Sequence, residues 1–173
     1  SFLRGVLAAW AEACPSDSFF VALPRPTDNT FKREGLPDNI LLRDCSCWLS
    51  RRFPNLLWLL LAMPRWARRL KAEVFFSALP CVPYALPRNM KTIIVVHDVV
   101  NIEFKETMQW TNRMANVFFS RAMKSADILW ANSNYTRERV EHYYPTRRCR
   151  DIFVGCAVDR TLFHPLTEIG RAH

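Results

Sequence analysis

The sequence is poor in glycine and has no long apolar run, and each shortage excludes a class of protein. Four glycines in 173 residues, with no repeat period, exclude collagen-like and low-complexity chains. The longest apolar run, residues 56–63, has eight residues, far short of the roughly 18 that a membrane-spanning helix needs. No basic stretch followed by an apolar run and a small-residue cleavage site opens the chain, so no signal peptide is predicted.

Several catalytic motifs are also missing. The sequence contains no G-x-S-x-G, H-E-x-x-H or G-x-x-x-x-G-K-[ST] pattern, so hydrolase, zinc-protease and P-loop functions lack their usual anchors. No paired C-x-x-C spacing of a structural zinc site occurs among the cysteines either. We predict free, mostly buried thiols, with a metal site and a disulfide as the alternatives. The six cysteines are Cys14, Cys45, Cys47, Cys81, Cys149 and Cys156.

The chain is rich in apolar residues and positive charge. Half of its residues are hydrophobic and its formal net charge is +8, which excludes wholesale disorder and fits one domain of ordinary size. The positive charge is mostly arginine, clustered at residues 51–52, 65–71 and 147–150. Such clusters attract phosphate on nucleic acid, anionic lipid or a nucleotide-linked substrate. The alternative is a solvated surface with no ligand.

Short apolar strands alternate with helical segments along the chain. Strands of three to five apolar residues separated by helices predict parallel pairing through right-handed crossovers. The expected fold is therefore a Rossmann-like, three-layer α/β domain with a mainly parallel sheet. The predicted strands cover residues 19–23, 40–42, 74–76, 92–96, 127–131 and 152–154, and the predicted helices residues 1–13, 56–70 (interrupted at Pro64), 108–123 and 133–143.

Polar residues follow two of these strands, and in such sheets ligands bind at the carboxyl ends of the strands. His97 and Asp98 directly follow residues 92–96. Neighbours on a strand point to opposite faces, so a His–Asp dyad is not expected. Instead, one side chain should face the cleft while the other anchors the following loop. A purely structural histidine remains the alternative.

A second polar segment lies where the strand at residues 127–131 gives way to a helix. Asn132, Ser133 and Thr136 lie at this transition. The N-terminus of a helix exposes unpaired N–H groups and a partial positive charge, which favours phosphate or another anion. Ser133 and Thr136 would add hydroxyl groups there, although Ser133 is also a suitable N-cap with no further role.

Taken in order, several segments resemble the N-terminal half of a family 4 glycosyltransferase, a retaining enzyme of the GT-B fold. Residues 91–100 resemble the family's strand that ends in His-Asp, and residues 104–106 its following loop. Residues 126–136 are similar to its Ala-Asp, strand, Ser-x-x-Thr segment. The similarity extends to residues 61–76 and 154–165, but Gly155-Cys156-Ala157 stands where Pro-Asn-Gly is common.

The resemblance implies transfer of a sugar from a nucleotide-sugar donor to a glycan, lipid-linked or polysaccharide-precursor acceptor, with retention at the anomeric carbon. His97 would contact the donor sugar or its leaving phosphate and act in catalysis. Asp98, Asn132, Ser133 and Thr136 would line the acceptor or donor cleft. No cofactor and no metal ligand are expected, and nucleic acid is not an expected partner of such an enzyme.

The resemblance also implies a division of the enzyme into domains. Residues 1–166 would form the acceptor-side Rossmann-like domain, without the family's first strand, and residues 167–173 a tail leading to an absent C-terminal nucleotide-sugar domain. We therefore expect the chain alone to have little or no activity. A missing first strand would leave a place near the middle of a parallel sheet empty, which such sheets tolerate poorly.

Two functions without catalysis remain as alternatives. A basic nucleic-acid-binding domain fits the charge, but no recognisable reading motif supports it. A membrane-surface module would use the aromatic, arginine-rich residues 58–71, with Arg65, Arg68 and Arg69 as membrane or anion contacts. Membrane contact is compatible with the enzyme, since lipid-linked acceptors occur in this family. The sequence thus predicts a cytoplasmic enzyme that can lie peripherally on a membrane.

Overall fold

The computed structural model describes residues 2–25, 35–52, 55–103 and 110–156. The predicted features at residues 104–106 and 157–173 lie outside this part of the chain. The elements are α1 (Phe2–Ala13), β1 (Phe19–Leu23), β2 (Ile40–Asp44), α2 (Trp48–Arg52), α3 (Asn55–Leu61), α4 (Met63–Arg69), β3 (Val74–Ser77), β4 (Lys91–Val96), α5 (Val100–Glu103), α6 (Trp110–Ser125), β5 (Ile128–Ala131), α7 (Asn134–Tyr143) and β6 (Ile152–Val154).

The described strands form two parallel sheets. One contains β1 and β2, and the other has the order β3-β4-β5-β6. Every pairing is parallel. Helices α5 and α6 connect β4 to β5, and α7 connects β5 to β6. The predicted mixed α/β, Rossmann-like fold is confirmed.

The main core lies between the four-stranded sheet and the helices that connect its strands. The β-branched residues Ile94, Val95 and Val96 of β4 are fully buried, as expected for a parallel strand covered on both faces. On one face, Ile94 and Val96 share a core cluster with Phe119 and Met123 of α6. This packing fixes the ends of β4 and β5, where the polar residues stand.

Two smaller clusters hold the remaining helices. Leu7 and Ala11 of α1 pack with Ile40 of β2. Helices α3 and α4 bury Trp58 and Met63 around Cys45, whose carbonyl accepts a hydrogen bond from the Trp58 indole at 2.8 Å. Proline occupies the first turn of α4, where its missing N–H removes no helical hydrogen bond. The predicted helix of residues 56–70 forms α3 and α4, which meet at Ala62, two residues before Pro64. The backbone of Ala62 keeps helical angles, so the chain stays helical across this boundary.

In the described ranges, no helix is both long enough and apolar enough to span a membrane. The longest, α6, has 16 residues, and its polar residues Ser120, Arg121 and Lys124 exclude a continuous apolar surface.

Candidate functional site

The two residues that follow β4 have different surroundings. His97 is exposed, and its ring meets the ring of Phe2 edge-on with 5.5 Å between centroids. Asp98 is also exposed, but its Oδ1 accepts a hydrogen bond from the Val100 N–H at 3.2 Å. Asp98 thereby anchors the start of α5, while the imidazole remains at the open carboxyl edge of the sheet.

Helix α7 begins with a side-chain cap. Ser133 has extended backbone angles, and its Oγ accepts a hydrogen bond from the Thr136 N–H at 3.1 Å. This is the geometry of an N-cap, which satisfies one of the unpaired N–H groups of the first turn. Ser133 thus forms the N-cap that the sequence suggested. Its contact with a ligand stays a prediction.

Thr136 connects α7 to the end of β4. Its side chain is buried, and its Oγ1 lies 3.0 Å from the Ser133 Oγ and donates to the His97 carbonyl at 3.4 Å. The hydroxyl is therefore used inside the protein. The structure brings His97, Ser133 and Thr136 together, with Thr136 positioning the other two.

Asn132 lies at the same edge, between β5 and the Ser133 cap. The residue is half-buried, and its Oδ1 is buried with no hydrogen-bond partner within the described residues. A buried acceptor without a donor lowers the stability of the folded state by about 1–3 kcal/mol, so most such atoms in native structures have a hydrogen-bond donor.

An ion pair that the sequence did not reveal joins the helices after β4 and β5. Glu103 of α5 pairs with the Arg139 guanidinium of α7 and accepts a hydrogen bond from the Tyr135 hydroxyl at 3.2 Å. Arg139 also donates to the Tyr143 hydroxyl at 2.6 Å. The hydrogen bond to Glu103 raises the pKa of the Arg139 guanidinium. Tyr135, Arg139 and Tyr143 are spaced four residues apart, which places them on one face of α7. This spacing is the feature of the sequence from which their mutual contact could have been predicted.

A cluster of aromatic rings holds α1 against the sheet. The ring of Trp130 in β5 lies 5.7 Å from that of Phe2 and 6.1 Å from that of Trp10. The Trp130 indole donates to the Gly155 carbonyl at 2.7 Å. A Cβ on Gly155 would come within 2.8 Å of the Phe153 ring, but that ring is exposed and can turn aside. The cluster places Phe2 beside His97.

The arginines of α4 form a separate surface. Arg65, Arg68 and Arg69 are exposed, and the Arg69 guanidinium lies 5.4 Å from the centroid of the Trp66 ring. Across residues 2–25, 35–52, 55–103 and 110–156, no hydrogen bond, ion pair or ring contact links these three side chains to the residues after β4 and β5.

The cysteines carry no metal site in the part of the chain that the structure covers, where no group of three or more His, Cys, Asp or Glu side chains could hold an ion. All six thiols are free, with Cys45, Cys81 and Cys149 buried and Cys47 half-buried. Burial raises the pKa of Cys45 and of Cys81 to about 11. These thiols are protonated at neutral pH and behave as core residues.

Comparison with known proteins identifies one family. The chain matches the family model described as Glycosyltransferase Family 4 over residues 10–162. That range contains β1 to β6, His97 and the capped start of α7. No curated protein and no solved structure matches the chain.

Proposed function

This chain belongs to glycosyltransferase family 4, and from that premise we propose that it forms the acceptor-side part of a retaining, two-domain GT-B enzyme. The enzyme moves a sugar from a nucleotide-sugar donor to a glycan, lipid-linked or polysaccharide-precursor acceptor. A second Rossmann-like domain holds the nucleotide, and the reaction takes place in the cleft between the two. The class of reaction is hexosyl transfer.

The observation that carries this proposal is the exposed His97 ring on a rigid support. The carbonyl of His97 is bonded to Thr136, whose own N–H is bonded to the Ser133 cap. The backbone that carries the imidazole is thus tied to both β4 and α7. Groups held on regular elements keep their geometry better than groups on loops. A fixed N–H donor can stabilise the negative charge that develops on a leaving phosphate.

The start of α7 supports the same assignment. Its first turn directs N–H groups and the positive end of the helix dipole toward the edge that carries His97. Ser133 satisfies the Thr136 N–H, and the Asn132 Oδ1, buried in this structure, would become an acceptor for a ligand only after its side chain turned outward. An anion and a hydroxyl-bearing sugar are the two chemical groups that this combination of donors and acceptors suits.

A donor-binding titration tests the proposed division of labour. In the proposed architecture the groups that bind the donor nucleotide and its sugar belong to the second domain. The 173-residue chain should therefore show little or no transferase activity, and calorimetry should detect no binding of nucleotide sugars in the micromolar range. Micromolar affinity for any nucleotide sugar would show that the chain holds the donor by itself.

A second candidate function is contact with an anionic membrane. Leu61, Arg65 and Arg68 are exposed and follow one another at intervals of four and three residues, which places them on one face of the continuous α3–α4 segment. The segment is continuous because the N–H groups of Arg65 and Trp66 donate to the Ala62 carbonyl. An apolar side chain among arginines fits the interface of an anionic bilayer.

Cosedimentation with vesicles containing phosphatidylserine tests this contact. The chain should bind at low salt, and a triple variant Arg65→Gln, Arg68→Gln, Arg69→Gln should lose most of the binding. A control with the same loss of charge at other exposed positions should keep it: Arg88→Gln, Lys124→Gln and Arg150→Gln. If both variants lost the same amount of vesicle binding, net charge alone would explain the contact. Salt-dependent binding to a short DNA duplex, seen as a mobility shift, would favour nucleic acid as the ligand instead.

A further inference from the structure

Helix α2 presents an aromatic residue and two arginines on one exposed face. Trp48 is 65% exposed, and Arg51 and Arg52 are exposed as well. The two arginines follow Trp48 by three and four residues, and residues with these spacings are neighbours on the surface of a helix. Trp48, Arg51 and Arg52 therefore share one face of α2.

A third arginine joins α2 from the end of β1. The Arg25 Nε donates a hydrogen bond to the Ser50 carbonyl at 3.2 Å, and the Arg25 residue is exposed. Within the described residues, this bond uses Nε alone and leaves the two Nη groups of the guanidinium for another acceptor. Three arginines thus meet at a helix of five residues.

Buried contacts hold α2 in place from the inner side. Ser50 is fully buried, and its Oγ accepts a hydrogen bond from the Cys47 N–H at 3.0 Å and donates to the Cys47 carbonyl at 2.8 Å. Cys47 in turn packs against the core cluster that contains Cys45 and Trp58. The exposed face of α2 therefore stands on a packed base. Binding to groups that are already ordered costs less conformational entropy.

Neighbouring carboxylates neutralise this face only in part. Across the described ranges, no ion pair of Arg25, Arg51 or Arg52 occurs. Hydrogen bonds from Ser46 and the charge of Arg51 lower the pKa of Asp44, so this carboxylate compensates part of the charge of Arg51. The positive charge that remains on the three arginines attracts anions.

The arginines of α2 lie on the side of the protein that carries His97. Helix α1 begins with Phe2 against His97, just after β4, and ends near the start of β2, where the Asn39 side chain donates to the Ala11 carbonyl at 3.0 Å. Helix α1 thus runs antiparallel to both strands. The carboxyl ends of β2 and β4 therefore point the same way, and α2 follows the end of β2.

We infer that Arg25, Trp48, Arg51 and Arg52 form a binding surface for an acidic saccharide. Guanidinium groups form two-point hydrogen bonds with phosphate, sulfate or carboxylate groups. The apolar face of a sugar ring packs well against an exposed indole. One aromatic ring within a compact group of arginines suits a charged sugar, whereas nucleic acid is bound by longer basic stripes and membranes by faces with several exposed apolar side chains.

The role of this saccharide as the acceptor rests on the proposed function, because the surface lies on the same side as His97. Its binding does not rest on that function. The two statements can therefore be tested separately.

Calorimetric titration with a heparin tetrasaccharide, a small saccharide that carries sulfate and carboxylate groups, tests the inference. The 173-residue chain should bind it at physiological salt. The double variant Arg51→Gln, Arg52→Gln should bind it at least ~10-fold more weakly. The control variant Arg88→Gln, Arg150→Gln removes the same charge at other exposed positions and should stay within about twofold of the parent. Equal losses in the two variants would overturn the inference, since net charge alone would explain the binding.

The indole has a test of its own. Trp48→Ala should weaken binding of the tetrasaccharide at least ~3-fold and leave the binding of inorganic pyrophosphate unchanged, because pyrophosphate has no ring to stack. In nitrogen-15 NMR spectra of the parent chain, the tetrasaccharide should shift the indole N–H signal that is missing from the Trp48→Ala spectrum. An unchanged tetrasaccharide affinity in Trp48→Ala would rule out the saccharide contact and leave a site for simple anions.

Two competing partners complete the test. A short DNA duplex or vesicles containing phosphatidylserine would overturn the inference if either bound the parent more tightly than the tetrasaccharide and lost binding in Arg51→Gln, Arg52→Gln. None of these measurements involves the donor or His97. Failure of the surface would thus leave the proposed reaction intact, and failure of the proposed reaction would leave a saccharide-binding surface without transfer.

Discussion

The Asp127 carboxylate aligns the two strands that carry the candidate site, and its removal has a calculable cost. Its Oδ2 accepts hydrogen bonds from the Thr92 N–H at 2.9 Å and from the Thr92 hydroxyl at 3.0 Å. Its Oδ1 lies 2.9 Å from Nη2 of Arg148. Thr92 is only 6% exposed. These contacts join the start of β4 to the start of β5 and thereby set the pairing of Ile93 with Ile128.

Replacement of Asp127 by alanine leaves the Thr92 N–H and hydroxyl without their acceptor. A buried group that loses its partner costs about 1–3 kcal/mol. The Asp127 Oδ1 also lies 3.8 Å from the Lys91 Nζ. The Arg148 and Lys91 side chains are 61% and 66% exposed, so the two lost ion pairs together add no more than about 1 kcal/mol. We expect Asp127→Ala to lower the free energy of unfolding by about 3 kcal/mol. Asp127→Asn keeps one carbonyl acceptor and should cost about 1 kcal/mol.

Urea denaturation followed by circular dichroism measures these differences. The matched control is Asp151→Ala, because Asp151 is exposed and, within the described residues, accepts a hydrogen bond through its backbone carbonyl and none through its side chain. The control should remain within about 0.5 kcal/mol of the parent. If Asp127→Ala were as stable as the control, the Thr92 contacts would contribute nothing, and the argument for strand alignment would be wrong.

Further predictions concern the helix cap and the thiols. Ser133→Ala should lower the free energy of unfolding by about 1 kcal/mol in urea, and Ser133→Asn, which keeps an N-cap, should restore most of it. Stability should fall between about pH 9 and pH 11, because unfolded thiols ionise near pH 9 while burial raises the pKa of Cys45 and Cys81 to about 11. In the double variant Cys45→Ala, Cys81→Ala, the free energy of unfolding measured with urea should fall less steeply over this pH range. The same dependence on pH in the parent and in the variant would contradict this prediction. Exposed Cys14 and Cys156 should react first with Ellman's reagent, and Cys45 and Cys81 only in denaturant.

The sequence predicted those parts of the fold that depend on local patterns. The β-branched run at residues 92–96 forms β4, and Ser133 caps the helix that follows β5. These features follow from residue type and from neighbours in the chain. The proximity of His97 to Thr136 could also be predicted from the sequence, because the carboxyl ends of parallel strands lie at one edge of the sheet.

Other specific side-chain contacts between residues distant in the chain could not be predicted from the sequence. Asp127 reads as the first residue of an apolar strand, yet β5 begins one residue later because the carboxylate and the N–H of Asp127 both bond Thr92. Glu103 and Arg139 are 36 positions apart, and only the packing of α5 on α7 brings them together.

The most direct test of the proposed function is the turnover of the full-length, two-domain enzyme with His97 replaced by alanine. If the imidazole stabilises charge on the donor as the bond to the phosphate breaks, the rate should fall at least ~10²-fold. The control His142→Ala removes an exposed imidazole on the last turn of α7 and should leave the rate unchanged. A His97→Ala enzyme that folds normally and keeps the parent rate would contradict the account and leave His97 a structural residue.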